Sequence, residues 1–195
     1  MVSKQSSVDQ ISSSQKIILI TGPTSSGKSE FAEILAVKTN QAVVYVPTAK
    51  VDENDREWQD RITKHQQRRP SSWRTLVAVI DLSSCLEQAS PWECLLIDSL
   101  GTWVANFIES DQEAWQQTSD RFLSSLKSTK AEVIVVGEET GWGVVPAYPL
   151  GRLFRDRLGH LSRQVGNLAD ITYLVTAGHV LNLSLLGEPL SKYKI

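Results

Sequence analysis

Short, continuously apolar runs recur along this chain and are separated by longer stretches of mixed polarity. The runs occupy residues 16–21, 42–46, 94–98, 132–136 and 171–175, with a weaker candidate at 75–82. Apolar runs of this length, rich in β-branched residues, are typical of strands buried on both faces of a parallel sheet. We therefore expect a central sheet built from these segments.

Between the runs, apolar residues recur at helical spacing in three stretches, at 29–38, 112–127 and 149–170. The last of these steps by three or four positions from Leu150 to Leu168, and the first aligns Phe31, Ile34 and Leu35 on one face. Strands that alternate with amphipathic helices predict an α/β fold with a mostly parallel central sheet flanked by helices.

Length and composition indicate one domain. The chain has 195 residues, of which 41% are hydrophobic, enough for one compact core. No Pro-rich linker, internal repeat or change of composition divides it. The first fifteen residues are polar, with no apolar stretch of the kind a secretory signal has, and we expect them to form a disordered tail. Residues 16–195 are then predicted to be a single domain.

Charge and cysteine content exclude several classes of protein. The chain has 20 Lys and Arg residues and 22 Asp and Glu residues. This near balance of charge gives no reason to expect nucleic acid or an anionic membrane as partner. No run approaches the roughly 18 apolar residues of a membrane span. The two cysteines, Cys85 and Cys94, are too few for a disulfide framework and lack metal-ligand spacing. A reducing interior, the cytoplasm, is the expected location.

The stretch GPTSSGKS carries the most specific pattern in the chain. It follows a predicted strand, precedes a predicted helix and matches G-x-x-x-x-G-K-[ST]. Small residues let backbone N–H groups curl around phosphates, the Lys28 ammonium reaches the outer phosphates, and the Ser29 hydroxyl can bind Mg²⁺. A Ser/Gly-rich turn that merely caps a helix is the alternative, which the strand before and the helix after disfavour. The predicted nucleotide-binding residues here are Gly22, Pro23, Thr24, Ser25, Ser26, Gly27, Lys28 and Ser29.

Asp98 ends another buried strand, in CLLIDSL. A carboxylate at such a strand end is the residue that P-loop enzymes place on the Mg²⁺ side of the nucleotide. The segment after it looks helical, so Asp98 could instead be an ordinary helix N-cap. Both roles are compatible, and we predict a Mg²⁺ site formed by Ser29 and Asp98, directly or through water.

A basic stretch, DRITKHQQRRP, occupies residues 60–70. If it is helical, Arg61, His65, Arg68 and Arg69 share one face. Such a face could be solvated surface, a weak nucleic-acid patch or a surface that handles a triphosphate, because arginine grips phosphate oxygens with two parallel donors. The other two histidines, His160 and His179, have no comparable setting.

Taken together, several stretches resemble one family, the bifunctional adenosylcobinamide kinase/adenosylcobinamide-phosphate guanylyltransferases of cobalamin biosynthesis. The resemblance runs from Lys16 to about Leu183, with the matching segments in the same order. It includes YVPTA at 45–49, the segments 61–75 and 95–107, and above all 135–170, with its E-x-G-x-G-x-V-P core followed by R-x-F-R-D.

The resemblance implies a RecA-like P-loop NTPase fold, a homotrimer and two reactions on a corrinoid. ATP or GTP, with Mg²⁺, would phosphorylate adenosylcobinamide. GTP would then transfer GMP, through a GMP-histidine, to adenosylcobinamide phosphate and give adenosylcobinamide-GDP. His65 matches the histidine that carries GMP, and His65 and Lys28 are the implied catalytic residues. The further nucleotide-binding positions are Thr48, Ala49, Lys50, Gln66, Gln67, Arg68, Arg69 and Asp98.

Three positions and one segment depart from the family's usual pattern; the segment is GHVLNLS near the end, which lacks a common late Lys. Ser25 stands where an Arg is usual, Val77 where an acid is usual, and Glu138 where an Asn is usual. Two other functions stay open on the residues alone: a P-loop kinase of another small alcohol, and a non-catalytic nucleotide-binding module.

Overall fold

The computed structural model describes residues 17–50 and 69–193. In chain order, the elements within these ranges are β1 (Ile17–Gly22), α1 (Lys28–Lys38), β2 (Ala42–Pro47), β3 (Arg74–Thr75), α2 (Leu82–Gln88), β4 (Glu93–Asp98), α3 (Leu100–Ala105), α4 (Gln112–Ser128), β5 (Glu132–Glu138), α5 (Pro149–Leu168), β6 (Ile171–Thr176), β7 (His179–Asn182), α6 (Leu183–Leu186) and a 3₁₀ turn, Leu190–Lys192.

The strands form one sheet in the order β3-β2-β4-β5-β1-β6-β7. Neighbouring strands run parallel except for β6 and β7, which form an antiparallel pair. The prediction of an α/β fold with a mostly parallel sheet is confirmed. Because parallel strands point the same way, β1, β2, β4, β5 and β6 all end at one edge, which we call the carboxyl edge.

The two faces of the sheet are covered differently. On one, the helix-rich face, α2, α3, α4 and α5 pack on alternate residues of the strands, such as Leu19 and Leu95. On the other, the α1 face, the described cover is α1 and the partly buried Trp73, over residues such as Ile18 and Leu96. The period-two alternation of strand side chains supplies both cores from the same apolar runs.

The prediction of a strand at 75–82 is wrong beyond Thr75. Only Arg74 and Thr75 pair with β2, although the amides of Leu76 and Ala78 still donate to carbonyls of that strand. A helix then begins, because the Asp81 carboxylate accepts the Ser84 amide at 3.0 Å and caps α2.

The helices begin and end close to the predicted positions, but two side chains predicted to face the core are exposed. Ile34 lies on the outer side of α1, whose buried apolar residues are Phe31, Ala32, Leu35 and Ala36. Leu150, in the first turn of α5, is also exposed. The predicted polar tail and nearly all of the basic stretch lie outside the described residues.

Two features are absent from the residues that the structure describes. No helix among them is long and apolar enough to cross a membrane. No group of three or more His, Cys, Asp or Glu side chains is arranged there to hold a metal ion.

Candidate active site

The phosphate loop turns from β1 into α1 at the carboxyl edge. Gly22 has φ 153°, and a Cβ there would overlap the backbone carbonyl of Val175 on β6. Gly27, with φ 94°, is the N-cap of α1. Only glycine allows both the left-handed backbone and this close approach. The glycines of the motif therefore shape a loop that opens on the amino end of α1, where the helix dipole favours anions.

Lys28 is the first residue of α1 and is buried. Its ammonium donates to the Pro23 carbonyl at 2.8 Å, across the loop. Burial lowers the pKa of Lys28 from its ordinary value, and the nearby carboxylates of Glu138 and Asp98 partly oppose that shift. A buried cation in a loop of amide donors can neutralise charge on a bound polyphosphate.

Other residues of the loop carry hydroxyls at different depths. Thr24 and Ser25 are exposed. The Ser26 hydroxyl is buried and has no hydrogen-bond partner within the described part of the chain. Because a buried hydroxyl without a partner is costly, it is an available donor for an oxygen bound in the loop.

Asp98 closes β4 directly beside the loop. Its carboxylate accepts a hydrogen bond from the Ser29 hydroxyl at 3.3 Å and another from the Tyr45 hydroxyl at 3.3 Å. The structure therefore brings together the two residues predicted to form the Mg²⁺ site. A hydroxyl and a carboxylate at this distance fit Mg²⁺, which prefers oxygen ligands and keeps several waters.

Arg69 extends this network on the α1 face. Its guanidinium carbon lies 3.3 Å from the centroid of the Tyr45 ring, and its Nε donates to Glu33 on α1 at 3.2 Å. The side chain is buried, and its Nη2 has no partner among the residues that the structure describes. Burial, followed by the Asp98 charge, raises the pKa of Tyr45, so that hydroxyl stays a donor to Asp98. Arg69 is thus linked to the Mg²⁺-side carboxylate through one aromatic ring.

Three predicted residues follow β2. The Thr48 side chain is fully buried and donates to the Ser99 carbonyl at 2.6 Å, while the Ser99 amide donates back to it at 3.0 Å. Its hydroxyl thus joins β2 to the start of α3. Ala49 is half-buried and Lys50 is exposed, so these two stand nearer to solvent at the same edge.

Glu138 is a site residue that sequence reasoning missed. It ends β5, opposite Gly22 in the register. Its carboxylate accepts hydrogen bonds from the Ser99 hydroxyl and from the Gly101 amide, the latter at 2.8 Å. A Cβ on Gly101 would collide with that carboxylate, so the glycine lets Glu138 reach the amino end of α3. An acidic residue at the end of a buried strand, the signal that identified Asp98, could have revealed it.

Tyr45 was missed as well. It is a lone hydroxyl in an otherwise aliphatic strand, and that was its only signal in the sequence. Of the predicted residues, His65, Gln66, Gln67 and Arg68 lie outside the described ranges. His160 and His179 are exposed, in agreement with their lack of a site-like setting.

The family model for cobinamide kinase/cobinamide phosphate guanyltransferase matches residues 18–183. The chain belongs to this family. The match spans the phosphate loop, Asp98 and Glu138, and so includes every described strand from β1 to β7 at least in part. The resemblance stated from the sequence is confirmed.

Curated relatives agree with the family assignment. The bifunctional adenosylcobalamin biosynthesis protein CobP of Pseudomonas aeruginosa is 36% identical over 88% of this chain and 98% of its own length. The protein CobU of Escherichia coli K12, which has the same description, is 33% identical over 83% of this chain and 96% of its own.

The fold is an α/β P-loop fold in which β5 lies between the phosphate-loop strand β1 and the Asp98 strand β4. A solved structure from Pyrococcus horikoshii OT3 shares the fold at a TM-score of 0.50 and 6% identity, over 86% of this chain and 85% of the other. An identity this low concerns the fold alone.

Proposed function

We propose that this protein is a transferase of cobalamin biosynthesis that phosphorylates adenosylcobinamide and then converts the product to adenosylcobinamide-GDP. Membership of the cobinamide kinase/cobinamide phosphate guanyltransferase family across residues 18–183 carries the proposal. The geometry supports it, because the phosphate loop, the buried Lys28 and the Ser29–Asp98 pair converge at one edge of the sheet.

In the first step, the hydroxyl oxygen of the aminopropanol arm attacks the γ-phosphorus of ATP or GTP. A new P–O bond forms, the bond from γ-phosphorus to the bridging oxygen breaks, the nucleoside diphosphate leaves, and the hydroxyl proton is released. The transition state is loose and anionic, so positioning and charge stabilisation do most of the work. Lys28 and the amides at the start of α1 supply that positive potential.

Mg²⁺ would be held by Ser29 and Asp98 and would supply further charge neutralisation at the phosphates. Tyr45 orients the Asp98 carboxylate through its hydrogen bond. Arg69, which lies on the Tyr45 ring, keeps that phenol in place.

In the second step, an imidazole nitrogen of His65 attacks the α-phosphorus of GTP. The N–P bond forms as the bond to the β-phosphate oxygen breaks and pyrophosphate leaves. A phosphate oxygen of adenosylcobinamide phosphate then displaces the imidazole and forms the diphosphate of the product. The role of His65 comes from its place in the family pattern. Gln66, Gln67 and Arg68 would lie along the same nucleotide.

The proposal includes the organisation of the protein. Residues 16–195 would act as one catalytic domain, three copies would assemble, and the enzyme would work in the cytoplasm. The first two features follow from the resemblance and from the absence of any break in composition. Free thiols at Cys85 and Cys94 suit a reducing compartment.

A trapped covalent intermediate tests the proposal most directly. The native protein, incubated with GTP labelled at the α-phosphate and with Mg²⁺, should form an adduct that is labile in acid and stable in base, as a phosphoramidate is. His65→Ala should abolish the adduct. His160→Ala and His179→Ala are matched controls, each removing an exposed imidazole, and both should retain it.

Supplying adenosylcobinamide and ATP together with GTP should then discharge the adduct and yield adenosylcobinamide-GDP, identified by mass spectrometry. An adduct that survives His65→Ala would reject His65 as the nucleophile. A protein that phosphorylates another alcohol but never traps GMP would be a simple P-loop kinase. One that binds triphosphate without turnover would be a nucleotide-binding module.

A further inference from the structure

The loop between β5 and α5 exposes an unusual run of apolar side chains. We call residues 142–150 the apolar loop. Val144 is 94% exposed, Tyr148 79% and Trp142 65%, and Val145 and Leu150 are exposed as well. Single exposed apolar side chains are ordinary, but five in nine residues form a patch of the kind that marks a binding surface.

The backbone of the apolar loop is anchored, so its side chains are held outward. The Arg152 guanidinium donates to the carbonyls of Pro146 at 3.0 Å and Ala147 at 2.7 Å. Close contact with the Pro146 ring leaves no room for a Cβ at Gly151. Just before the loop, the Glu139 carboxylate accepts the Gly141 amide at 2.8 Å. A surface fixed in this way loses little conformational entropy when it binds a ligand.

The apolar loop also starts at the site of phosphate chemistry. Glu138 pairs in register with Gly22, and the next amide, of Glu139, donates to the Gly22 carbonyl at 2.8 Å. Trp142 follows three residues later. Because three residues span at most about 11 Å, a ligand that rests on Trp142 can extend an arm to the phosphate loop.

We propose that the apolar loop is the surface on which the corrin macrocycle of adenosylcobinamide docks, with Trp142 and Tyr148 as its aromatic contacts. The proposal rests on the proposed function. The reaction requires a ligand that is large, that can present the faces and methyl groups of its macrocycle to aromatic side chains, and that can extend one hydroxyl arm to the phosphates. Five side chains are enough to contact one small-molecule ligand, whereas a stable protein–protein interface uses about 20–30 residues from each partner.

Two tryptophans of nearly equal exposure give a matched test. Trp142, 65% exposed, follows the carboxyl end of β5, whereas Trp92, 69% exposed, precedes the amino end of β4 at the opposite edge of the sheet. Each is changed to Ala in the full chain. Tyr148→Ala provides a second change within the loop.

Binding of adenosylcobinamide is measured by equilibrium dialysis from its visible absorbance, and the GMP adduct is measured from GTP alone. Trp142→Ala and Tyr148→Ala should each weaken adenosylcobinamide binding by about tenfold, the loss of one aromatic contact. Both should form the GMP adduct as fast as the native protein, because that half-reaction needs no corrinoid. Trp92→Ala should change neither quantity.

Equal effects of Trp142→Ala and Trp92→Ala on corrinoid binding would overturn the docking surface, and the proposed function would stand. A change in the sedimentation of Trp142→Ala, with corrinoid affinity preserved, would instead assign the loop to contact with a second copy. Failure of the native protein to bind adenosylcobinamide would overturn both the proposed function and this inference.

Discussion

The two faces of the sheet differ in the groups that they bury. On the helix-rich face, four helices bury a continuous apolar core in which Trp103 contacts both Trp115 and Phe122. On the α1 face, the described cover is thinner, and buried polar groups lead from Arg69 through Tyr45 towards the carboxyl edge. The same strands therefore bury an apolar core on each side, and the α1 side adds a polar network that reaches the carboxyl edge.

Two buried arginines show the difference most plainly. Arg157, on the helix-rich face, donates to the carbonyls of Phe107 and Ser110, each at 2.8 Å, and so holds the turn between α3 and α4. Arg69, on the α1 face, pairs with a carboxylate and stacks on a ring that hydrogen-bonds Asp98. The first contact is made entirely within the scaffold, and the second is coupled to a residue of the candidate site.

Trp103→Ala should have the largest effect and should act on stability alone. The side chain is fully buried among three aromatic rings, and its indole N–H donates to the Ile80 carbonyl at 3.1 Å. Removing it leaves a cavity, which costs about 3–5 kcal/mol of the free energy of unfolding. Denaturant unfolding measures this loss. Ile34→Ala, an exposed change on α1, should stay within about 0.5 kcal/mol.

Lys28→Met should weaken nucleotide binding without lowering the free energy of unfolding. The ammonium is buried where phosphates are proposed to bind, and a hydrogen bond to a charged group contributes about 1.5–3 kcal/mol, so ATP affinity should fall by about 10–150-fold. The free energy of unfolding should not fall, because burial disfavours the charged form in the folded protein. Calorimetric titration with MgATP and denaturant unfolding of the same variant separate the two effects.

The pH dependence of ATP affinity tests whether the charge of Lys28 contributes to binding. Because burial lowers the pKa of Lys28 in the free enzyme, its charge is lost at a pH below the ordinary 10.5. ATP affinity of the native protein should therefore decline as pH rises through that lowered pKa, by up to tenfold per pH unit. Lys28→Met, which has no proton to lose, should show no such decline. An identical alkaline decline in both proteins would assign it to another group.

Much of this fold could be predicted because its signals are local. Five apolar runs became five strands, and the spacing of Gly22, Gly27 and Lys28 defined the phosphate loop. Asp98 was found because it ends such a run. The signal for the start of α2 is also local, since Asp81 and Ser84 stand three positions apart as a helix cap requires, but the apolar run at 75–82 predicts a strand across it.

The contacts that were not predicted join residues far apart in the chain. Arg69 meets Glu33 across 36 positions, and Glu138 meets Gly101 across 37. Nothing in either local pattern shows which strand face a side chain will share, so the residues of the basic stretch alone favour a solvated surface over a phosphate contact. The exposure of Leu150 was missed for the same reason, because helical spacing predicts a face but not where the cover ends.

Arg69→Met should have the smallest effect, a modest loss of MgATP affinity. Losing the charge over the Tyr45 ring removes a cation–π contact of about 0.5–2 kcal/mol. Because Tyr45 holds Asp98, part of that loss should appear as weaker MgATP binding, by about threefold to tenfold. Arg157→Met is the matched control: it removes the guanidinium hydrogen bonds to the carbonyls of Phe107, Ser110 and Asp111, so it should reduce stability by about 1–3 kcal/mol and leave MgATP affinity unchanged. If both variants lose stability and neither loses affinity, Arg69 is a scaffold residue like Arg157, and the α1 face differs from the helix-rich face only in how heavily it is covered.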